Sequence, residues 1–150
     1  MFEKLFKKRR ADTQAPSQGD EADAVQIALA VLCVEAARAD EDYEAREIAI
    51  IDQFLAKRFS LSGDAAATLR AKAETAQSDA LDIQRFTKVA KEMSQDDKIG
   101  FIEHLWEIVL SDGDRDPFED TLIRRICGLI YVDDPDSGAA RARVAARLGQ

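Results

Sequence analysis

Residues 27–47 read IALAVLCVEAARADEDYEARE, and the fold turns on how this stretch is interpreted. Its first eight residues, Ile27 to Val34, are apolar on every side of a helix. Eight residues fall far short of the roughly 20 that a helix needs to span a bilayer. A helix that is hydrophobic all round is buried in a protein core instead, so the run predicts a central helix over about 21–39. The character then changes abruptly, with Asp40, Glu41, Asp42 and Glu44 making an acid-rich turn. Beyond it, Ile48, Ile51, Leu55 and Phe59 recur at helical spacing and predict a second helix over about 45–59 with those residues inward.

The pattern stays helical toward the C-terminus. Ser62 can cap a third helix over about 63–77. A fourth, about 79–93, would turn Leu81, Phe86 and Val89 inward. Ser94 followed three residues later by Asp97 resembles a capping box opening a fifth helix, about 95–111. Pro117 stands where a helix favours its first residue, so a sixth runs over about 117–131. The stretch VDDPDSG, 132–138, should break the chain before a last helix over about 138–148. No segment alternates polar and apolar residues between turn signals, so the expected fold class is all-α.

The chain has 150 residues, enough for one domain that buries a sizeable core without staples. A hydrophobic fraction of 46% excludes a disordered chain. With 21 Lys+Arg against 29 Asp+Glu the net charge is −8, which argues against nucleic acid as a partner. Cys33 and Cys127 are far apart and outside any CxxC, so neither a disulfide framework nor a Cys-rich zinc site is expected, and a cytoplasmic protein is the simple reading. No HExxH, P-loop, GxSxG or nucleophile–His–acid set can be assembled, so no enzyme is expected. The single histidine, His104, lies in the apolar pattern IGFIEHLWEIVL and reads as a helix-face residue beside the core. Arg124, Arg125, Arg141, Arg143 and Arg147 read as surface partners of acids, against the alternative of a basic face opposite the acidic loops.

Residues 1–10, MFEKLFKKRR, differ from the rest: five basic residues against Glu3 give +4, leaving −12 for the other 140. Phe2, Leu5 and Phe6 sit at helical spacing. The segment suits a peripheral contact with the anionic inner face of a membrane, against the competing reading of a frayed, solvated terminus. Residues 11–20, ADTQAPSQGD, read as a flexible linker, leaving 21–150 as the helical domain.

A shift of 72 residues lays DEDYEARE (40–47) over DGDRDPFE (112–119) without a gap. Asp40 falls on Asp112, Asp42 on Asp114, Glu44 on Asp116 and Glu47 on Glu119; Glu35 falls on Glu107 and Trp106 on the core residue Val34. Both acidic runs occupy a helix junction, as a duplicated helical hairpin would produce. Acids at positions 1, 3 and 5 of a loop, with another in the following helical turn, converge oxygens as hard cations such as Ca²⁺ and Mg²⁺ require. The loop is no EF-hand, because its closing acid is at position 8 rather than 12 and Pro117 starts the helix early. Helix capping competes: Glu44, Glu47, Asp116 and Glu119 stand where acids favour a helix N-terminus by about 0.3–1 kcal/mol each. Capping leaves Asp40, Asp42, Asp112 and Asp114 unexplained, and the residues alone leave both readings open.

These residues resemble the TerB-like family, named for tellurite resistance. The resemblance is carried by Glu-Ala-Ala-Arg-Ala-Asp at 35–40 with its acid-rich turn, LDIQRFT at 81–87, Leu105-Trp106-Glu107, SDGDRDPFE at 111–119 and LIRRI at 122–126. It spans about 22–135. It implies an all-α bundle of about seven helices, built from a duplicated hairpin unit with a pseudo-two-fold relation. It also implies divalent metal, Ca²⁺ ahead of Mg²⁺ or Zn²⁺, on Asp40, Glu47, Asp112 and Glu119, then on Asp42, Glu44, Asp114 and Asp116. Glu35 and Glu107 would stand behind those ligands. The family's usual Asp-Gly is kept at Asp112-Gly113 but is Asp40-Glu41 in the first motif. A left-handed turn there would cost Glu41 on the order of 1 kcal/mol, making the first site the weaker. The role implied is a non-enzymatic module in a stress-response or membrane-linked complex. The alternative is a metal-free interaction domain whose acidic face docks a basic protein partner while residues 1–10 touch membrane.

Overall fold

The computed structural model describes residues 18–39, 43–111 and 117–150. Among them the chain forms seven helices and no strand: α1 (Gln18–Arg38), α2 (Ala45–Phe59), α3 (Gly63–Asp79), α4 (Gln84–Ala90), α5 (Gln95–Leu110), α6 (Pro117–Ile130) and α7 (Asp134–Arg147). The predicted all-α class holds. None of these helices is long and apolar enough to cross a membrane. The basic segment 1–10 and most of the linker 11–20 lie outside the described residues; α1 itself already begins at Gln18.

The apolar run predicted as a central helix is the centre of the core. Ala28 to Val34 are all inaccessible to solvent, as are Ala36 and Ala37. Helices α2, α3, α4, α5 and α6 all pack on α1. The amphipathic helices each contribute one stripe: Ile51, Phe54 and Leu55 from α2, and Leu122, Ile123, Ile126 and Ile130 from α6. α5 adds Phe101, Ile102, Leu105 and Ile108. The packing order recurs along the chain, with α1 lying most extensively on α3 and α5 on α7.

Local chemistry sets the ends. Ser62 Oγ accepts the Ala65 N–H at 3.1 Å and opens α3, and Ser94 Oγ accepts the Asp97 N–H at 3.1 Å and opens α5. The reciprocal half of the second box is replaced: the Asp97 carboxylate pairs with Arg58 at 3.3 Å, tying α5 to the end of α2. Two predicted elements differ. The fourth helix does not start at 79, because Asp82 Oδ1 accepts the Gln84 N–H at 2.9 Å and sets the start there. Leu81, expected inward, is consequently fully exposed, and Ile83 fills the core beside Phe86. The stretch 132–138 does not break the chain up to residue 138: α7 starts at Asp134 with a proline in its first turn. A proline there forfeits only an N–H that would have no helical partner, so it starts the helix rather than ending it.

That earlier start places Ser137 inside the core, where its Oγ accepts the Trp106 Nε1–H at 3.1 Å. Of the five arginines expected at the surface, Arg143 and Arg147 pair with Glu103 of α5 at 3.0 and 2.6 Å, while the Arg141 guanidinium lies 5.3 Å from the Trp106 ring centre. Two leucines test the packing. Leu29→Ala, which empties space at the centre of α1, should cost about 2–5 kcal/mol. Leu81→Ala should change stability by less than about 0.5 kcal/mol, and urea midpoints of the two variants measure the contrast.

Candidate functional site

The first acidic junction enters α2 through a complete capping box. Glu44 is the N-cap residue, its backbone extended, and its side chain accepts from the backbone of the third helical residue. In return the Glu44 N–H donates to Glu47 Oε1 at 3.0 Å. Arg46 adds an ion pair to Glu44 at 2.8 Å on the exposed side. Capping therefore engages both glutamates here. The two are not equivalent, because Glu44 is exposed whereas Glu47 is only 3% accessible.

The second junction enters α6 at Pro117, and Glu119 is the third helical residue, as Glu47 is in α2. Glu119 is 2% accessible. Its neighbour Phe118, at the position Arg46 holds in α2, exposes 74% of its surface. Two carboxylates at corresponding places, each following a run of acids, are thus withdrawn from water. An ionised carboxylate tolerates that only where donors or positive charge compensate its lost hydration. The helix N-terminus supplies part of that compensation in both cases.

Asp40, Asp42, Asp112, Asp114 and Asp116 lie outside the described residues. Of the eight predicted ligands, Glu44, Glu47 and Glu119 are described. Among the described residues no three His, Cys, Asp or Glu side chains come together as a metal-holding group. Glu35 and Glu107 are each engaged with a neighbour on a helix: Glu35 Oε1 accepts from Gln77 Nε2 at 2.8 Å, and Glu107 Oε1 lies 3.4 Å from His104 Nδ1.

Sequence reasoning missed the clamp around Tyr43, the residue just before the N-cap. Its hydroxyl donates to Glu74 Oε2 of α3 at 2.7 Å, and the Arg38 guanidinium lies 5.0 Å from the ring centre. Arg70 bridges Glu74 at 3.0 Å and Asp52 of α2 at 2.6 Å. Arg38 Nη1 in turn donates to Gln77 Oε1 at 2.6 Å and Ser78 Oγ at 3.0 Å. One polar chain from Glu35 through Gln77 and Arg38 to Tyr43, Glu74, Arg70 and Asp52 therefore locks three helices around the first junction. Burial, then the Glu74 carboxylate, push the Tyr43 phenol well above its ordinary value. Among the hydrogen bonds only the Arg70–Glu74 spacing of four was visible in sequence, since the other hydrogen-bonded partners are 18 to 42 residues apart.

His104 sits beside the core as expected, its ring centre 4.2 Å from that of Phe54. Burial lowers its pKa below the usual 6.5, with Glu107 and Glu103 opposing the shift. A group whose folded pKa is depressed contributes stability that is complete above its unfolded pKa and is lost as pH falls through the folded value. As the only histidine, it should dominate the pH dependence of stability just below about pH 6.5. Urea midpoints should fall over that window in the native sequence and fall less in His104→Gln; equal slopes would contradict this assignment. In a Tyr131→Phe background, ultraviolet titration should place the one remaining phenol, Tyr43, above the ordinary value near 10.

Neither a curated protein nor a solved structure gives a match. The sequence profile of the family described as tellurite resistance protein TerB matches residues 26–142, from within α1 to within α7. That span takes in both acidic junctions and most of the chain, and the chain belongs to the TerB family.

Proposed function

We propose that this TerB-family chain is a non-enzymatic module that binds divalent cations through the junctions 40–47 and 112–119. The observation that carries the reading is the matched burial of Glu47 and Glu119. Each is the third residue of its helix, each follows an acidic run, and each is nearly inaccessible. A capping interaction satisfies the N-terminal amides of a helix without requiring that its carboxylate be withdrawn from water. A cation at the helix start would compensate both the buried carboxylate and the repulsion among the preceding aspartates.

The donor set fits a hard cation. Every candidate ligand is a carboxylate, and such oxygen sites suit Ca²⁺ or Mg²⁺ rather than Zn²⁺, which favours nitrogen and sulfur. The sulfur in the chain's cysteines is withdrawn: Cys33 and Cys127 are both buried in the core, and burial pushes both thiols up. Bound there, a cation would supply charge neutralisation and loop ordering; Glu47 and Glu119 would be its anchors, with Asp40, Asp42, Asp112, Asp114 and Asp116 completing the shells. Such a module belongs in a stress-response or membrane-linked complex, where cation binding would set the conformation its partner meets.

A specific observation favours the second reading at the first junction alone. Glu44 and Glu47 are already engaged in a complete capping box with Arg46 alongside, which suits a metal-free acidic face docking a basic protein. Together with Glu41 in place of glycine, this makes 112–119 the stronger cation site.

A thermal melt of chelator-stripped protein separates the readings. With about 1 mM Ca²⁺ and a dissociation constant near 10 μM, the ligand is in about hundredfold excess and adds about 2.7 kcal/mol. For a chain this size that is a rise of roughly 5–10 °C. Asp112→Asn combined with Glu119→Gln should remove most of the rise while leaving helical content unchanged. Equal small shifts with Ca²⁺, Mg²⁺ and Zn²⁺ would instead be screening of an acidic surface, and would overturn the cation reading.

A further inference from the structure

An apolar groove of about 600 Å³ runs between the first turns of α1 and the length of α4. Val25 of α1, with Val89 of α4 and Met93 just past its end, forms the floor. All three are only partly covered by the rest of the core. The rim is charged and mixed, with Glu21 and Glu92 facing Arg85 and Lys88. Nothing in the function proposed above uses this groove.

We propose that the groove is the docking site of the chain's own residues 2–6, Phe-Glu-Lys-Leu-Phe. Four observations point to that occupant. The groove begins at Glu21, within one turn of Gln18, where the described chain starts. The eleven residues 7–17 reach up to about 36 Å when extended and average about 18 Å end to end as a flexible chain, so the segment can return to the groove. Phe2, Leu5 and Phe6 bring three apolar side chains within five residues, to set against the apolar floor of Val25, Val89 and Met93. The charges also match in kind. Lys4, with the basic run 7–10 behind it, can meet Glu21 and Glu92 on the rim, and Glu3 can meet Arg85 and Lys88.

The tether makes a weak groove sufficient. A short flexible linker holds its end at an effective concentration in the millimolar range, so an interaction too weak to detect between separate molecules is largely formed within one. Docking would cover the apolar face of segment 1–10, so the groove and a membrane surface compete for the same side chains.

The chain has two methionines, Met1 and Met93, so methyl-¹³C methionine labelling reads the groove directly in the full-length protein. The triple variant Phe2→Ser, Leu5→Ser, Phe6→Ser alters only residues outside the helical domain. The Met93 methyl resonance, shifted by the rings in the native sequence, should move beyond its linewidth in the variant. It should also show contacts to an aromatic ring that the variant loses, and both effects should persist on tenfold dilution. An unchanged Met93 resonance overturns the proposal. If it is unchanged while the native chain, but not the variant, sediments with phosphatidylserine-containing vesicles, the segment is a membrane contact instead. A ring contact that disappears on dilution assigns the groove to a second copy of the chain, and also overturns it.

Discussion

A helix without a polar face must be covered on every side, and α1 is such a helix. Nine of its residues between Ala28 and Ala37 have no solvent contact. Burying a leucine or valine side chain contributes about 1.5–3 kcal/mol, so each uncovered side of α1 would forfeit several such contributions. Five helices are needed to enclose it, and their amphipathic stripes are matched to that task. The two acidic junctions join α1 to α2 and α5 to α6, and α2, α5 and α6 all pack on α1.

That geometry explains why the functional proposal rests on two glutamates rather than eight acids. A residue at the third helical position has its Cα–Cβ bond tilted back toward the junction, and with α2 and α6 packed on the core Glu47 and Glu119 are buried. The capping box consumes one oxygen of Glu47 in an interaction that needs no ion. The Tyr43 clamp then fixes the approach to that box from α1 and α3. Rigidity of this kind suits a site whose ligands must converge, because ordering them in advance lowers the cost of binding. It equally suits a fixed acidic face; the second junction differs in carrying an exposed Phe118 where Arg46 pairs with Glu44 at the first.

Much of this was legible in the sequence. The all-round apolar run at 27–34, the serine caps and Pro117 located α1, α2, α3, α5 and α6 to within a few residues. The two differing boundaries share a cause: short polar residues and proline start helices here, Asp82 within the span expected as helix and Pro135 within the expected break. Asp82 accepts the Gln84 amide and shortens α4, which leaves Leu81 outside; Pro135 opens α7 rather than delaying it. The acidic motifs were legible as a pattern but not as an arrangement. Burial of Glu47 and Glu119 depends on how α2 and α6 lie on the core. The chain from Glu35 to Asp52 depends on partners brought together by three separate helices.

The measurement that bears most directly on the cation reading is a backbone amide spectrum of the chelator-stripped protein titrated with Ca²⁺. Two helix starts held by buried glutamates should respond locally, with saturable shifts concentrated at residues 43–48 and 118–121 and the second cluster changing first. Shifts scattered over the acidic surface without saturation, or none at either helix start, would contradict it.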